Sequence, residues 1–177
     1  MARPPLAGVL RRWAALVYEA LLLTALVFIA SFLLAPFVSP GSAARGALVM
    51  PSPAARLGSF TALFTLGAVF FTWIWSEGRR TLPMKAWRLA LVTVAFEPLA
   101  RRTAFVRYVA AWIGPALAVV AYALLAPHGF AALAWPLVFL NWLAALVDPQ
   151  RQFLHDRIAG TRLVTSSDPV LREAVGN

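Results

Sequence analysis

One acidic residue, Glu19, lies inside a long apolar stretch that runs from Trp13 to Pro36. A carboxylate in hydrocarbon is costly unless it is paired, hydrated or protonated. Arg12 precedes Glu19 by seven residues, so the two side chains fall on nearly the same face of a helix. We expect Arg12 to compensate part of the charge of Glu19. The pair is then either a structural ion pair or part of a proton or cation site, and the sequence favours neither.

A second polar pair lies at the end of the last apolar stretch, where Asn141 and Asp148 are also seven residues apart. A buried asparagine needs a hydrogen-bond partner on another helix, so helix packing is the more frequent role for Asn141. Asp148 precedes Pro149, which favours a helix-ending role in headgroup water. Both side chains can also project inwards and complete a polar site with Glu19.

Enzyme chemistry has weak support in this sequence. His155 and Asp156 are adjacent and could form half of an acid–base pair, but no nucleophile is placed to complete it. The phosphate-binding, nucleophile-elbow and zinc-protease motifs are absent from the sequence, and so is cysteine. We therefore predict a protein that is not an enzyme and has neither a cofactor nor a metal site.

These polar groups are embedded in a very apolar chain. Of its 177 residues, 61% are hydrophobic and only 13% are charged, against about 45–50% and about 25% in soluble domains. Apolar stretches at 13–36, 57–75, 108–126 and 130–147 approach or exceed the length of about 20 residues that a spanning helix needs. We predict an all-α polytopic membrane protein with four transmembrane helices.

The basic residues predict the orientation of these helices. The net charge of +9 would suggest nucleic acid in a soluble protein, but here the basic residues lie between apolar runs, so we expect no nucleic-acid partner. Only Arg45 and Arg56 lie in the loop after the first helix, whereas the other basic residues occupy the N-terminal arm, the 76–107 segment and the C-terminal tail. Under the positive-inside rule, both termini and the 76–107 segment are cytoplasmic.

The segment 84–96 allows two interpretations. Its apolar residues recur at spacings of three and four while Lys85 and Arg88 fall elsewhere, which predicts an amphipathic helix lying on the inner leaflet. The run 89–94 is also β-prone, so an extended interfacial segment is the alternative. In both cases we expect contact with membrane lipids. The predicted transmembrane domain covers residues 1–165, and 166–177 form a polar, poorly ordered tail.

Small residues and prolines mark the last two predicted helices. Ala110, Gly114 and Ala118 are spaced four apart, which permits close approach of two helix backbones. Pro115 predicts a kink in the same helix, and Pro136 predicts one in the next.

Three sequence blocks together resemble the RDD family of bacterial integral membrane proteins. The blocks are 11–22 (RRWAALVYEALL), 78–89 (GRRTLPMKAWRL) and 148–161 (DPQRQFLHDRIAGT). The arginine and two aspartates that give this family its name correspond by position to Arg12, Glu19 and Asp156. Glu19 departs from the pattern, because the family usually has aspartate there; the charge is kept and the reach grows by one methylene.

The resemblance implies a protein of the bacterial cytoplasmic (inner) membrane with a role in transport, since some members of this family are linked to sodium–proton exchange. We expect protons or small cations to exchange at an intramembrane site formed by Arg12, Glu19, Asn141, Asp148 and Asp156. In this hypothesis Glu19 binds the ion and Arg12 adjusts its pKa. The alternative is a non-catalytic scaffold or accessory subunit whose buried polar residues fix helix packing. Since one four-helix chain is small for a transporter, we expect a homo-oligomer or a partner membrane subunit.

Overall fold

The chain is mostly helical, with one small sheet. The computed structural model describes residues 7–38 and 51–166; most of the loop predicted after the first helix and all but Ser166 of the predicted tail lie outside this part. The elements are, in order, α1 (Val9–Val38), α2 (Pro53–Trp75), α3 (Leu82–Ala86), β1 (Leu89–Thr93), α4 (Arg101–Ala111), α5 (Ile113–Leu125), two 3-10 helices (Ala126–His128 and Ala131–Phe139), α6 (Leu140–Val147), α7 (Leu154–Ala159) and β2 (Thr161–Thr165).

Three helical segments are long and apolar enough to cross a membrane. They are Val9–Leu33, Pro53–Trp75 and Arg101–His128. Their outer faces carry large apolar side chains such as Phe28 and Val119, which are 73% and 70% exposed. In a bilayer these side chains face lipid, where exposed apolar surface is favourable, whereas in water it would be unfavourable.

The fourth predicted helix is shorter and changes type along its length. It begins as the 3-10 helix Ala131–Phe139 and continues as α6. Pro136 lies inside the 3-10 segment, and its ring nitrogen cannot donate a hydrogen bond to an α-helix. A fourth membrane crossing therefore stays a prediction, whereas three of the predicted helices have the required length.

The third predicted helix is divided at Trp112 into α4 and α5. Pro115 removes the N–H that would have bonded the carbonyl of Ala111, four residues earlier. Gly114 allows α5 to pack directly on the 3-10 segment, because a Cβ at this position would lie 2.7 Å from the carbonyl oxygen of Leu137. Proline and glycine together thus produce both the break and the close packing.

The segment 84–96 differs from the predicted amphipathic helix. Helix α3 ends at Ala86, and β1 then pairs antiparallel with β2 in a register that places Leu91 opposite Leu163. The four residues 89–92 are all buried, with alternate side chains in two apolar clusters. A strand covered on both faces has no polar face to lay on a membrane, which explains why the extended alternative is the observed one.

Candidate functional site

A buried ion pair joins α4 to α7. Arg107 Nε donates to Asp156 Oδ1 at 2.7 Å, and the two side chains are only 1% and 3% exposed. Thr161 Oγ1 donates to the same carboxylate oxygen at 2.9 Å, and the Arg107 guanidinium lies 4.1 Å from the ring centroid of Trp75. The structure thus gives the predicted site residue Asp156 a cation partner, Arg107, that was not among the predicted site residues.

His155 adjoins this ion pair. Its Nε2 lies 3.3 Å from Arg107 Nη2 and 3.8 Å from Asp156 Oδ2, and its buried Nδ1 has no hydrogen-bond partner among the described residues. Burial lowers the pKa of His155 from 6.5 to about 4. Burial is the largest influence on the pKa of Asp156 and acts to raise it, but the charge of Arg107 and the hydrogen bonds from Arg107 and Thr161 act together in the other direction and leave this pKa below its ordinary value. At neutral pH the cluster therefore contains one cation, one anion and a neutral imidazole.

A partly open cavity of about 270 Å³ lies between α1, α2, α4 and α6. Its wall is largely apolar, with four strongly polar side chains: Glu19, Arg107, Asn141 and His155. The cavity brings together two predicted site residues, Glu19 and Asn141, and Arg107 of the ion pair. Asp148 and Asp156 do not line it.

Glu19 is anchored at the edge of this cavity. Its Oε1 accepts a hydrogen bond of 2.8 Å from Thr81 Oγ1. Thr81 is also the N-cap of α3, and its hydroxyl oxygen accepts from the backbone N–H of Met84. The cation that acts electrostatically on Glu19 is Arg107. Short helix α3 therefore positions the carboxylate, and α4 supplies its counter-charge.

Arg12 faces a different part of the molecule from the one predicted. It is 4% exposed and interacts electrostatically with Asp156 and Asp148, not with Glu19. The reason is geometric: seven residues along α1 correspond to roughly 10 Å at about 1.5 Å per residue, which is more than an ion pair permits. The two charges are two helical turns apart.

Asn141 ties α6 to the end of α4. It is 5% exposed, and its Nδ2 donates to the Ala111 carbonyl at 2.7 Å. This is the carbonyl that Pro115 leaves without a helical partner, so the side-chain amide replaces the missing backbone donor. The amide oxygen, Oδ1, is buried and has no partner in the described part of the chain.

Asp148 ends α6 at the surface of the cluster. Its Oδ2 accepts from the backbone N–H groups of Gln150 and Gln152 at 2.9 and 3.0 Å, and its Oδ1 pairs with Arg157 at 3.0 Å. The two backbone contacts are local to the turn between α6 and α7, and the ion pair joins this turn to α7. This geometry makes Asp148 a helix-terminating residue, with Arg12 as a more remote cation.

Metal binding has no ready ligand set here: among the described residues, no group of three or more His, Asp or Glu side chains could hold an ion. The side-chain oxygens at the cavity are those of the Glu19 carboxylate, the Asn141 amide and the Tyr108 hydroxyl, which donates to the Phe64 carbonyl. The carboxylate and the amide suit a proton or a weakly held hard cation.

Comparison with known proteins identifies one family. No curated protein and no solved structure matches the chain. The model of the RDD family matches residues 6–160, which is most of the 177-residue chain and includes α1 to α7. This match and the apolar helices describe a transmembrane protein. The chain belongs to the RDD family.

Proposed function

We propose that this protein moves protons or small monovalent cations across the bacterial inner membrane through the cavity beside Glu19. One observation carries the proposal: the Glu19 carboxylate and an amide oxygen that has no partner among the described residues line a partly open cavity of about 270 Å³ between transmembrane helices. Ionisable residues within a membrane protein are costly, and they commonly mark an ion or proton path when they face a cavity. The volume is ample for an ion with several waters.

The ion pair supports this role by neutralising the cation at the cavity wall. Arg107 alone would repel a second positive charge, but Asp156 bonds to it at 2.7 Å and cancels most of its field. Glu19 then offers one negative charge, for which a proton and a cation compete. Competition for a single carboxylate is the minimum that exchange requires. In this proposal His155 and Asp156 have a positioning role and no catalytic one.

The test is ion flux through purified protein in proteoliposomes. We expect Glu19→Gln to abolish cation-dependent proton flux, because the amide keeps the shape of the side chain and cannot exchange a proton. Glu77→Gln is the matched control, since Glu77 is an exposed carboxylate that pairs with Arg79 and Arg101 away from the cavity. Wild-type flux in Glu19→Gln would remove this mechanism.

We also propose that both termini and the 76–107 segment are cytoplasmic. The basic residues of that segment support this orientation. The chain has no cysteine, so single cysteines can be introduced at Arg88 and Arg102 and labelled from either side of the membrane. Labelling of both positions from the cytoplasmic side is the expected result. Crosslinking of the same variants would report a homo-oligomer, which we expect for so small a transporter, or a partner subunit.

A scaffold or accessory subunit is the second candidate. The observation that favours it is that the polar groups also serve packing: Arg107 joins Asp156 on α7, and Asn141 joins Ala111 on α4. This alternative predicts no flux from the purified wild type, large stability losses in Glu19→Gln, and one stoichiometric partner in a pull-down from membranes.

A further inference from the structure

A second groove lies on the other side of Glu19, between α1, α2 and α3. Its volume is about 430 Å³. Its wall is apolar along the two long helices, and two basic side chains, Arg80 and Lys85, stand at the α3 end. We propose that this groove binds one anionic phospholipid, with an acyl chain along the α1–α2 wall and the phosphate between Arg80 and Lys85.

The positive charges at the groove are available for a ligand. The neighbouring Arg79 is already engaged, because its Nη1 bonds to Glu77 at 2.8 Å and its guanidinium lies over the Trp73 ring. Within residues 7–38 and 51–166, by contrast, neither Arg80 nor Lys85 makes an ion pair. Two unneutralised cations at one end of an apolar groove fit a monoanionic phosphodiester.

The position of the phosphate follows from the charges around the groove. Glu19 also lines it, and its carboxylate accepts a hydrogen bond from Thr81, the neighbour of Arg80, and interacts with Arg107. Because this carboxylate would repel a phosphate and is already engaged, the headgroup belongs on the side chains of Arg80 and Lys85. The acyl chain then lies along the opposite, apolar part of the groove.

The apolar wall identifies the ligand as a lipid rather than a soluble phosphate. Leu22 and Phe70 line the groove and are 37% and 41% exposed, and both belong to helices that can span the membrane. A soluble phosphate would cover none of this surface. Basic residues at the cytoplasmic end of a transmembrane helix attract anionic headgroups, so the surrounding membrane is the source of the ligand.

The test is native mass spectrometry of the full chain in detergent, with added phosphatidylglycerol or phosphatidylcholine. We expect one phosphatidylglycerol to be retained per chain and phosphatidylcholine to be lost. The double variant Arg80→Gln/Lys85→Gln should bind phosphatidylglycerol about 30-fold more weakly, at about 1 kcal/mol per basic residue and about 1.4 kcal/mol per tenfold. Arg102→Gln is the matched control: it removes an exposed arginine outside the groove and should leave binding unchanged.

A second arm tests the acyl chain and the source of the phosphate. Leu26→Trp should reduce retention by filling the wall while both charges remain, and glycerol 3-phosphate should not displace the lipid. Equal retention of the two lipids, displacement by glycerol 3-phosphate, or a double variant that binds like Arg102→Gln would overturn the proposal. Because the readout is lipid retention, these results are independent of ion flux.

Discussion

The Arg107–Asp156 ion pair offers the sharpest test of how this bundle is stabilised. Asp156 is 2% exposed. In Arg107→Gln, the native hydrogen bond that Asp156 keeps among the described side chains is the one from Thr161. Removing one partner of a buried pair costs about 3–5 kcal/mol, since the other charge stays buried without its hydrogen-bonded counter-charge. Some of the loss would come from the contact with Trp75, at about 0.5–2 kcal/mol for a cation–π interaction.

A double-mutant cycle separates these contributions. The two single variants Arg107→Met and Asp156→Leu are compared with the double variant by SDS unfolding in mixed micelles at pH 7. The double variant should lose less than the sum of the single losses, with a coupling of about 2–3 kcal/mol, because neither charge is then left unpaired. The exposed Arg101→Gln serves as the control and should leave the unfolding midpoint unchanged. Strictly additive losses, or single losses below about 1 kcal/mol, would refute the reasoning.

Three further predictions concern pH, packing and the helix break. The unfolding free energy should fall by up to about 3 kcal/mol as the pH drops from 6.5 to about 4, because burial lowers the pKa of His155 and only the unfolded chain takes up the proton in that window. His155→Gln should remove this loss. A difference in stability between the two proteins that does not change with pH would contradict the prediction. Gly114→Ala should cost about 1–3 kcal/mol, because the new methyl group meets a backbone carbonyl at 2.7 Å, whereas Gly58→Ala, with nothing within 4 Å, should cost nothing; equal unfolding midpoints would show that α5 can shift. Asn141→Leu should lower the midpoint, and adding Pro115→Ala should restore part of it by returning an N–H to the orphaned carbonyl; a double variant that is no more stable than Asn141→Leu would rule out that partnership.

The helices and the two residues on the cavity wall follow from local patterns in the sequence. A run of apolar residues reports a spanning helix wherever it occurs, and a carboxylate within such a run must find a polar surrounding. Glu19 and Asn141 were identified in this way, and both line the same cavity. Pro115 likewise predicts a kink in the third helix, and the structure has a division into two helices at Trp112.

The partners of these residues depend on contacts between distant parts of the chain, which spacing cannot report. Arg107 meets Asp156 because α4 packs on α7, and nothing near Arg107 in the sequence announces that carboxylate. The predicted pairing of Glu19 with Arg12 is wrong for the same reason, since Arg12 interacts with Asp148 and Asp156, far along the chain. The local signal for Arg107 is its position directly before the long apolar run 108–126, which could have marked it as a candidate site residue.

The small sheet shows the same limit. The segment 89–94 was compatible with helix or strand, because its apolar spacing fits one and its β-prone residues fit the other. The partner strand, Thr161–Thr165, decides the question by covering the backbone of β1 from a site far along the chain. Secondary structure in this region is therefore a consequence of tertiary contact.

Proton release on cation binding is the most direct test of exchange at Glu19. Purified protein in weakly buffered detergent is titrated with sodium or potassium chloride across a range of pH, with choline chloride as the ionic-strength control. The proposed exchange predicts that the wild type releases protons, up to one per chain, and that Glu19→Gln releases none while Glu77→Gln behaves like the wild type. No release from the folded wild type at any pH, or equal release from Glu19→Gln, would contradict the assignment of the site.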